Sequence, residues 1–126
     1  MSSIDQLVDS EMDAMIADLQ TLIRQPSVSA KKQGLVECAN LVSSIMKKAG
    51  ISSDILYLDD KSIPPIVCGE LKSKSNPGKT LLFYNHYDVQ PAEPVELWNA
   101  EPFSGKLEGN YVYGRGSADD KGELIT

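Results

Sequence analysis

Leu81-Leu82-Phe83-Tyr84-Asn85-His86-Tyr87-Asp88-Val89-Gln90-Pro91 is the stretch whose reading decides the fold. Its consecutive apolar residues, Leu81 to Tyr84, predict a strand buried on both faces, as in the interior of a parallel sheet. The carboxyl end of that strand carries His86, the only histidine in the chain, and then Asp88. In open α/β sheets ligands bind just outside the carboxyl ends of strands. Side chains two apart on a strand share a face, which brings His86 and Asp88 within reach of one another. A carboxylate that accepts one imidazole N–H fixes the tautomer and leaves the other nitrogen free for a metal. The pair thus reads as a zinc ligand together with the carboxylate that orients it. Two plainer readings compete: a histidine at a strand end is commonly structural, and Asp88 near Pro91 suits ordinary turn chemistry.

Outward from this stretch the pattern alternates between helix and strand. On its N-terminal side, Lys72 to Gly78 is a turn by composition, preceded by short strand candidates at Ile66 to Leu71 and Ile51 to Leu58. Further back, Leu35, Cys38, Ala39, Val42, Ile45, Met46 and Ala49 form a helical stripe that Gly50 stops. Ile4, Leu7, Val8, Met12, Ile16, Leu19, Leu22 and Ile23 form another, ended by Pro26. On the C-terminal side come Trp98 and Pro102-Phe103, then Gly109-Asn110 as the turn of a hairpin between Lys106-Leu107-Glu108 and Tyr111-Val112-Tyr113. Gly114 to Gly122 follows, and then the start of a third helix. These elements predict an α/β fold.

The totals bound the function. A chain of 126 residues is one domain at most, and 41% apolar with 24% charged residues is ordinary for a globular protein. A net charge of −6 argues against nucleic acid and against anionic membrane surfaces as partners. Cys38 and Cys68 lack the close spacing of a zinc knuckle and read as reduced, buried, structural thiols. Met1 to Asp5 has no basic region followed by an apolar core, so no signal peptide is expected, and no apolar run reaches membrane-spanning length. The expected location is the cytoplasm.

Gly114-Arg115-Gly116-Ser117-Ala118-Asp119-Asp120-Lys121-Gly122 is a second constellation, with two carboxylates at a sharp turn and glycines that let backbone approach closely. Alone it is compatible with an ordinary loop, and it lacks the Gly-Lys-Ser/Thr of a phosphate-binding loop. Jointly, His86-Tyr87-Asp88-Val89-Gln90-Pro91, Trp98, Pro102-Phe103 and the Gly114–Gly122 segment resemble the co-catalytic zinc exopeptidase family. That family includes carnosinase-type dipeptidases, aminoacylase, acetylornithine deacetylase and succinyl-diaminopimelate desuccinylase. The His-Tyr-Asp-Val-Gln-Pro form looks most like the carnosinase-type dipeptidases, and Leu22-Ile23 with Pro26-Ser27-Val28-Ser29 resembles the family's first helix and the turn after it.

The resemblance implies residue roles and an architecture. His86 matches a ligand of one zinc, Asp119 the carboxylate bridging two metals, and Asp88 the catalytic-site carboxylate that orients the imidazole. The bond between Asp119 and Asp120 matches one that is often cis in the family. Two metals about 3.5–4 Å apart need a bridging anion and lower the pKa of a shared water; zinc is implied, and manganese or cobalt would also suit such a mixed N/O site. The fold implied is the N-terminal part of a three-layer α/β/α catalytic domain with a mostly parallel central sheet, occupying residues 1–126. The family's paired glutamates, a further acidic ligand, a final histidine and an inserted dimerisation domain match nothing in this chain. The reading is therefore an N-terminal fragment, inactive alone, of a di-zinc hydrolase that cleaves dipeptides or short peptides and acts as a homodimer when complete. An N-acyl-amino-acid amidohydrolase of the same family, or a non-catalytic binding module built on the family sheet, are the alternatives. The resemblance predicts that His86, Asp88 and Asp119 converge in space, which the coordinates test directly.

Overall fold

The computed structural model describes residues 3–60, 62–75 and 78–126. Within the predicted turns, Lys61, Asn76 and Pro77 lie outside the described residues, as do Met1 and Ser2 of the expected non-signal N-terminus. Helix α1 spans Ser3–Arg24 and helix α2 Leu35–Lys48. Strand β1 (Ser52–Leu56) pairs antiparallel with β2 (Ile66–Glu70), with Ser52 opposite Glu70 and Leu56 opposite Ile66. Strands β3 (Lys106–Glu108) and β4 (Tyr111–Tyr113) form the hairpin predicted around Gly109, whose φ of +59° suits glycine. A short helix, α3, runs Lys121–Ile125.

The predicted ends of α1 and α2 are borne out. Proline lacks an N–H and disfavours helix in the residue before it, and α1 stops two residues short of Pro26. Gly50 takes φ +80° after α2, with Gly50 N–H donating to Lys47 O (3.0 Å) and Ile51 N–H to Met46 O (2.9 Å). This is the paired hydrogen bonding of a Schellman motif, which satisfies carbonyls the helix leaves open.

The core lies where α1, α2, the β1–β2 ladder and α3 meet. Leu22, Cys38 and Val42 are buried there, with Ile45, Met46, Val67, Tyr87, Leu124 and Ile125 packed around them. Ser43 and Ser53 tie α2 to β1 inside this region, their hydroxyls 2.6 Å apart and Ser53 Oγ donating to Ser43 O (3.2 Å). The hydroxyl of Tyr87 donates to Pro65 O (2.5 Å), and burial, helped by nearby Cys38 and Asp88, pushes its pKa up to about 12. Tyr87 thus packs on the side away from His86.

Two expectations are corrected. Leu81 to Tyr84 do not form a buried strand: each is between 82% and 91% exposed, with no ladder partner among the described residues. A strand exists only as hydrogen bonds and side-chain contacts to neighbours, and β1 and β2 spend theirs on one another. Among the described residues both ladders are antiparallel, and an isolated bridge between Val28 and Val89 is parallel. Cys68, expected to be buried, is exposed on β2, whereas Cys38 is buried as expected; both are free thiols. The apolar stripe of α1 is covered only near its end, at Leu22 and Ile23, while Ile4 and Leu7 stay over 60% exposed.

Among the described residues the largest fully buried side chain is Lys121, with no accessible surface. Its ammonium donates to Leu22 O (2.8 Å) and Gln25 O (2.7 Å), at the C-terminal end of α1. A cation there meets backbone carbonyls and the negative end of the helix dipole. Burial pulls the Lys121 pKa below the ordinary range, partly opposed by Cys38. Hydrogen bonds to charged groups contribute about 1.5–3 kcal/mol each, and carbonyls left unpaired when buried add to the loss. Lys121→Met, which keeps the packing of the stem, should therefore lower the unfolding free energy by about 2–4 kcal/mol in denaturant titrations.

Candidate metal centre

The segment carrying His86 is held by the turn that follows α1. Ser27 Oγ donates to Tyr87 O (2.7 Å), and Val89 N–H donates to Ser27 O (2.9 Å). Ser27 and Val28 are buried, so the Pro26-Ser27-Val28-Ser29 stretch acts as a fixed floor beneath residues 87–89.

The Gly114–Gly122 segment folds back against the same region. Arg115 N–H donates to Pro102 O (2.6 Å), Ser117 N–H to Gly114 O (3.1 Å) and Gly122 N–H to Gly116 O (3.3 Å). Gly116 sits at φ +92°, and a Cβ there would lie 2.8 Å from Val89 Cγ1. The missing side chain is what lets this turn approach the segment that carries His86. The Asp119–Asp120 peptide bond is cis, as the family resemblance implies.

These two segments bring the predicted site residues together across 33 positions of sequence. His86 Nε2 lies 3.0 Å from Asp119 Oδ1. His86 Nδ1 lies 3.2 Å from Asp88 Oδ1 and 3.0 Å from the Asp88 carbonyl. Both expectations about His86 hold: Asp88 reaches its ring, and Asp119 stands on the opposite side of that ring. Partial burial lowers the His86 pKa, but the Asp88 carbonyl, the Asp119 carboxylate and the charges of Asp120 and Asp88 outweigh it, and the net shift is upward. With an acceptor at each nitrogen, the metal-free ring is best satisfied as imidazolium.

Two residues of the motif have roles that sequence reading missed. Asp120 Oδ2 accepts the backbone N–H of His86 (2.8 Å) and the side-chain N–H of Asn85 (3.2 Å). An aspartate just before a helix signals a cap, yet Asp120 makes no capping bond to α3. The other is Lys121, described above. Nearby, Trp98 Nε1–H donates to Ala92 O (2.8 Å) and the Arg115 guanidinium carbon lies 4.8 Å from the Trp98 ring centroid. Trp98, Tyr113, Arg115, Ser117 and Asp119 border an open cleft of about 300 Å³.

The donor set has the right chemistry for zinc: an imidazole nitrogen with its other nitrogen held by a carboxylate, and a carboxylate 85% exposed at its side chain facing the free nitrogen. In number it is partial. Among the described residues no group of three or more His, Cys, Asp or Glu is arranged to hold a metal ion. His86 and Asp119 are the two side chains whose nitrogen and oxygen meet here, with the Asp88 carboxylate at the other ring nitrogen.

Because His86 is the sole histidine, its ring proton titrates without overlap in an NMR spectrum. In the metal-free chain its midpoint should lie above the ordinary 6.5, and Asp119→Asn should lower it. The sign for stability follows: a raised folded pKa gives a contribution fully present below the ordinary imidazole value and lost as pH rises through the folded one.

Comparison with known proteins agrees with this geometry. The sequence model of Peptidase family M20/M25/M40 matches residues 82–126. The Cys-Gly metallodipeptidase dug1 of Schizosaccharomyces pombe is 35% identical over 99% of this chain and 28% of its own length. The crystal structure of the M20 family metallo-carboxypeptidase Sso-CP2 from Sulfolobus solfataricus superposes with a TM-score of 0.77 at 35% identity, over 88% of this chain and 24% of that one. The di-peptidase Dug1p of Saccharomyces cerevisiae gives a TM-score of 0.81 at 28% identity, over 95% and 28%. The chain therefore spans less than a third of the length of these relatives. Its two motifs, the site they build and these similarities place it in the M20 metallopeptidase family.

Proposed function

We propose that this chain is the N-terminal portion of the catalytic domain of a di-zinc metallohydrolase that cleaves the amide bond of dipeptides or short peptides. The observation that carries the reading is the 3.0 Å approach of His86 Nε2 to Asp119 Oδ1, with Asp88 behind the ring. The named activities of the similar dipeptidases give the substrate class.

In this reading His86 and Asp119 are the residues of this chain that would hold zinc. When bound, the metals supply Lewis acidity and a water of lowered pKa. Asp88 keeps the His86 proton on Nδ1, so that Nε2 presents its lone pair. The cleft beside Asp119, walled by Trp98 and Arg115, receives the substrate. The proton-transferring glutamate and the remaining ligands come from parts of the parent outside this chain, as does the rest of a mostly parallel sheet in an α/β/α domain. The bare apolar run Leu81–Tyr84 supports that view, since contiguous exposed apolar surface commonly marks a face meant to be covered. Free thiols at Cys38 and Cys68 suit a reducing compartment such as the cytoplasm. No described helix is long and apolar enough to cross a membrane. The parent acts as a homodimer.

The purified 126-residue chain with excess zinc or manganese should hydrolyse no member of a dipeptide panel above background. General acid–base catalysis alone contributes roughly 10²–10⁴-fold, and its glutamate is missing. Turnover that survives purification and vanishes in Asp119→Ala would show the chain to be sufficient and overturn the fragment reading. In the full-length parent, Asp119→Ala should cost about 10²–10³-fold or more in kcat.

A further inference from the structure

We infer that Asp120 is a positioning residue for the metal centre, setting the separation of His86 from Asp119 by holding the His86 backbone. The inference rests on the reading of His86 and Asp119 as metal ligands. Asp120 directly follows one of them, and its Oδ2 accepts the backbone N–H of the other at 2.8 Å. The same oxygen accepts the Asn85 side chain at 3.2 Å, so two consecutive residues are gathered onto one atom.

Among the described residues no other hydrogen bond secures the His86 backbone from its N-terminal side. Residues 81–84 have no ladder partner among the described residues, and the bonds to Ser27 begin only at Tyr87. Asp120 itself is anchored from the far side, because Lys121 is fixed to Leu22 O and Gln25 O. The chain of constraint therefore runs from the end of α1 through Lys121 and Asp120 to His86. A hydrogen bond to an ionised carboxylate is short and strong enough to fix such a distance. Asp120 does not spend its carboxylate on capping α3, and Asp119, beside it, remains open to a ligand.

The test uses the full natural-length protein, stripped of metal by a chelator and titrated calorimetrically with Mn²⁺, alongside Asp120→Ala, Asp120→Asn and His86→Ala. Partners that orient a metal ligand typically contribute 10–100-fold to affinity, so Asp120→Ala should bind Mn²⁺ at least about tenfold more weakly. Asp120→Asn keeps a carbonyl oxygen for the His86 N–H and should stay within about threefold of the parent, since position rather than charge is what is lost in the alanine variant. In the metal-free protein the His86 amide proton should shift upfield in Asp120→Ala and hold its place in Asp120→Asn. A loss below about tenfold in Asp120→Ala, or a loss beyond about threefold in Asp120→Asn, overturns the inference. Should Asp120→Ala fail to fold, Asp120→Asn decides by the same threefold limit and the same amide signal. His86→Ala separates the two levels: unchanged Mn²⁺ affinity there refutes the ligand reading itself, whereas lost affinity with an unaffected Asp120→Ala refutes only the positioning role.

Discussion

A buried ammonium needs acceptors, and at Lys121 that need organises the molecule. With no accessible surface, Lys121 would carry a large desolvation cost were it unpaired. The acceptors it finds are Leu22 O, which also accepts the Gln25 N–H (3.2 Å), and Gln25 O, both at the end of α1. Each side thus relieves the other. The pairing spans 99 residues, so it welds the last motif of the chain to its first helix. Ser27, a few residues past that helix end, holds the Tyr87 carbonyl and Val89 N–H. Both halves of the candidate metal centre are referred to one structural origin, the C-terminal end of α1.

The centre itself is an electrostatic problem with two solutions. Asp88, Asp119 and Asp120 surround a single imidazole in a chain that already carries net charge −6. Without metal, the carboxylates draw a proton onto His86, which is why its pKa rises despite partial burial. A divalent cation between Nε2 and Asp119 would neutralise the same cluster and needs the imidazole neutral, so metal and proton compete for one position. Asp88 serves both states, since its acceptors face Nδ1 in either case.

Much of this was legible from the residues, and what was not has a common cause. The helix limits followed from Pro26 and Gly50, and the hairpin from Gly109-Asn110, because local backbone preference decides them. His86, Asp88 and Asp119 were reached through two motifs read together. Leu81–Tyr84 was misjudged because apolar composition states what a segment prefers to be covered by, while burial depends on whether a neighbour is there. Cys68 was misjudged likewise, since the face that β2 turns to solvent depends on its pairing with β1. Asp120 and Lys121 stood within the quoted motif without a role, and their partners lie 34 and 99 residues away. Neither distance leaves a trace in local pattern.

The distribution of constraint also explains how two ligands can stand at bonding distance before a complete coordination sphere exists. Nothing in the His86–Asp119 approach requires a cation. The turn is drawn in by the Gly116–Val89 contact, which any Cβ would block, and its far end is fixed by Lys121. Hydrogen bonds to backbone, at Asp120 and Ser27, then set the height of the histidine segment. Preorganised donors lose less freedom when an ion arrives, so affinity is governed as much by these backbone tethers as by the ligands. By contrast, the Asp119 side chain is 85% exposed. Of the two donors it is the one left free to adjust, which is the property a carboxylate shared between two ions requires.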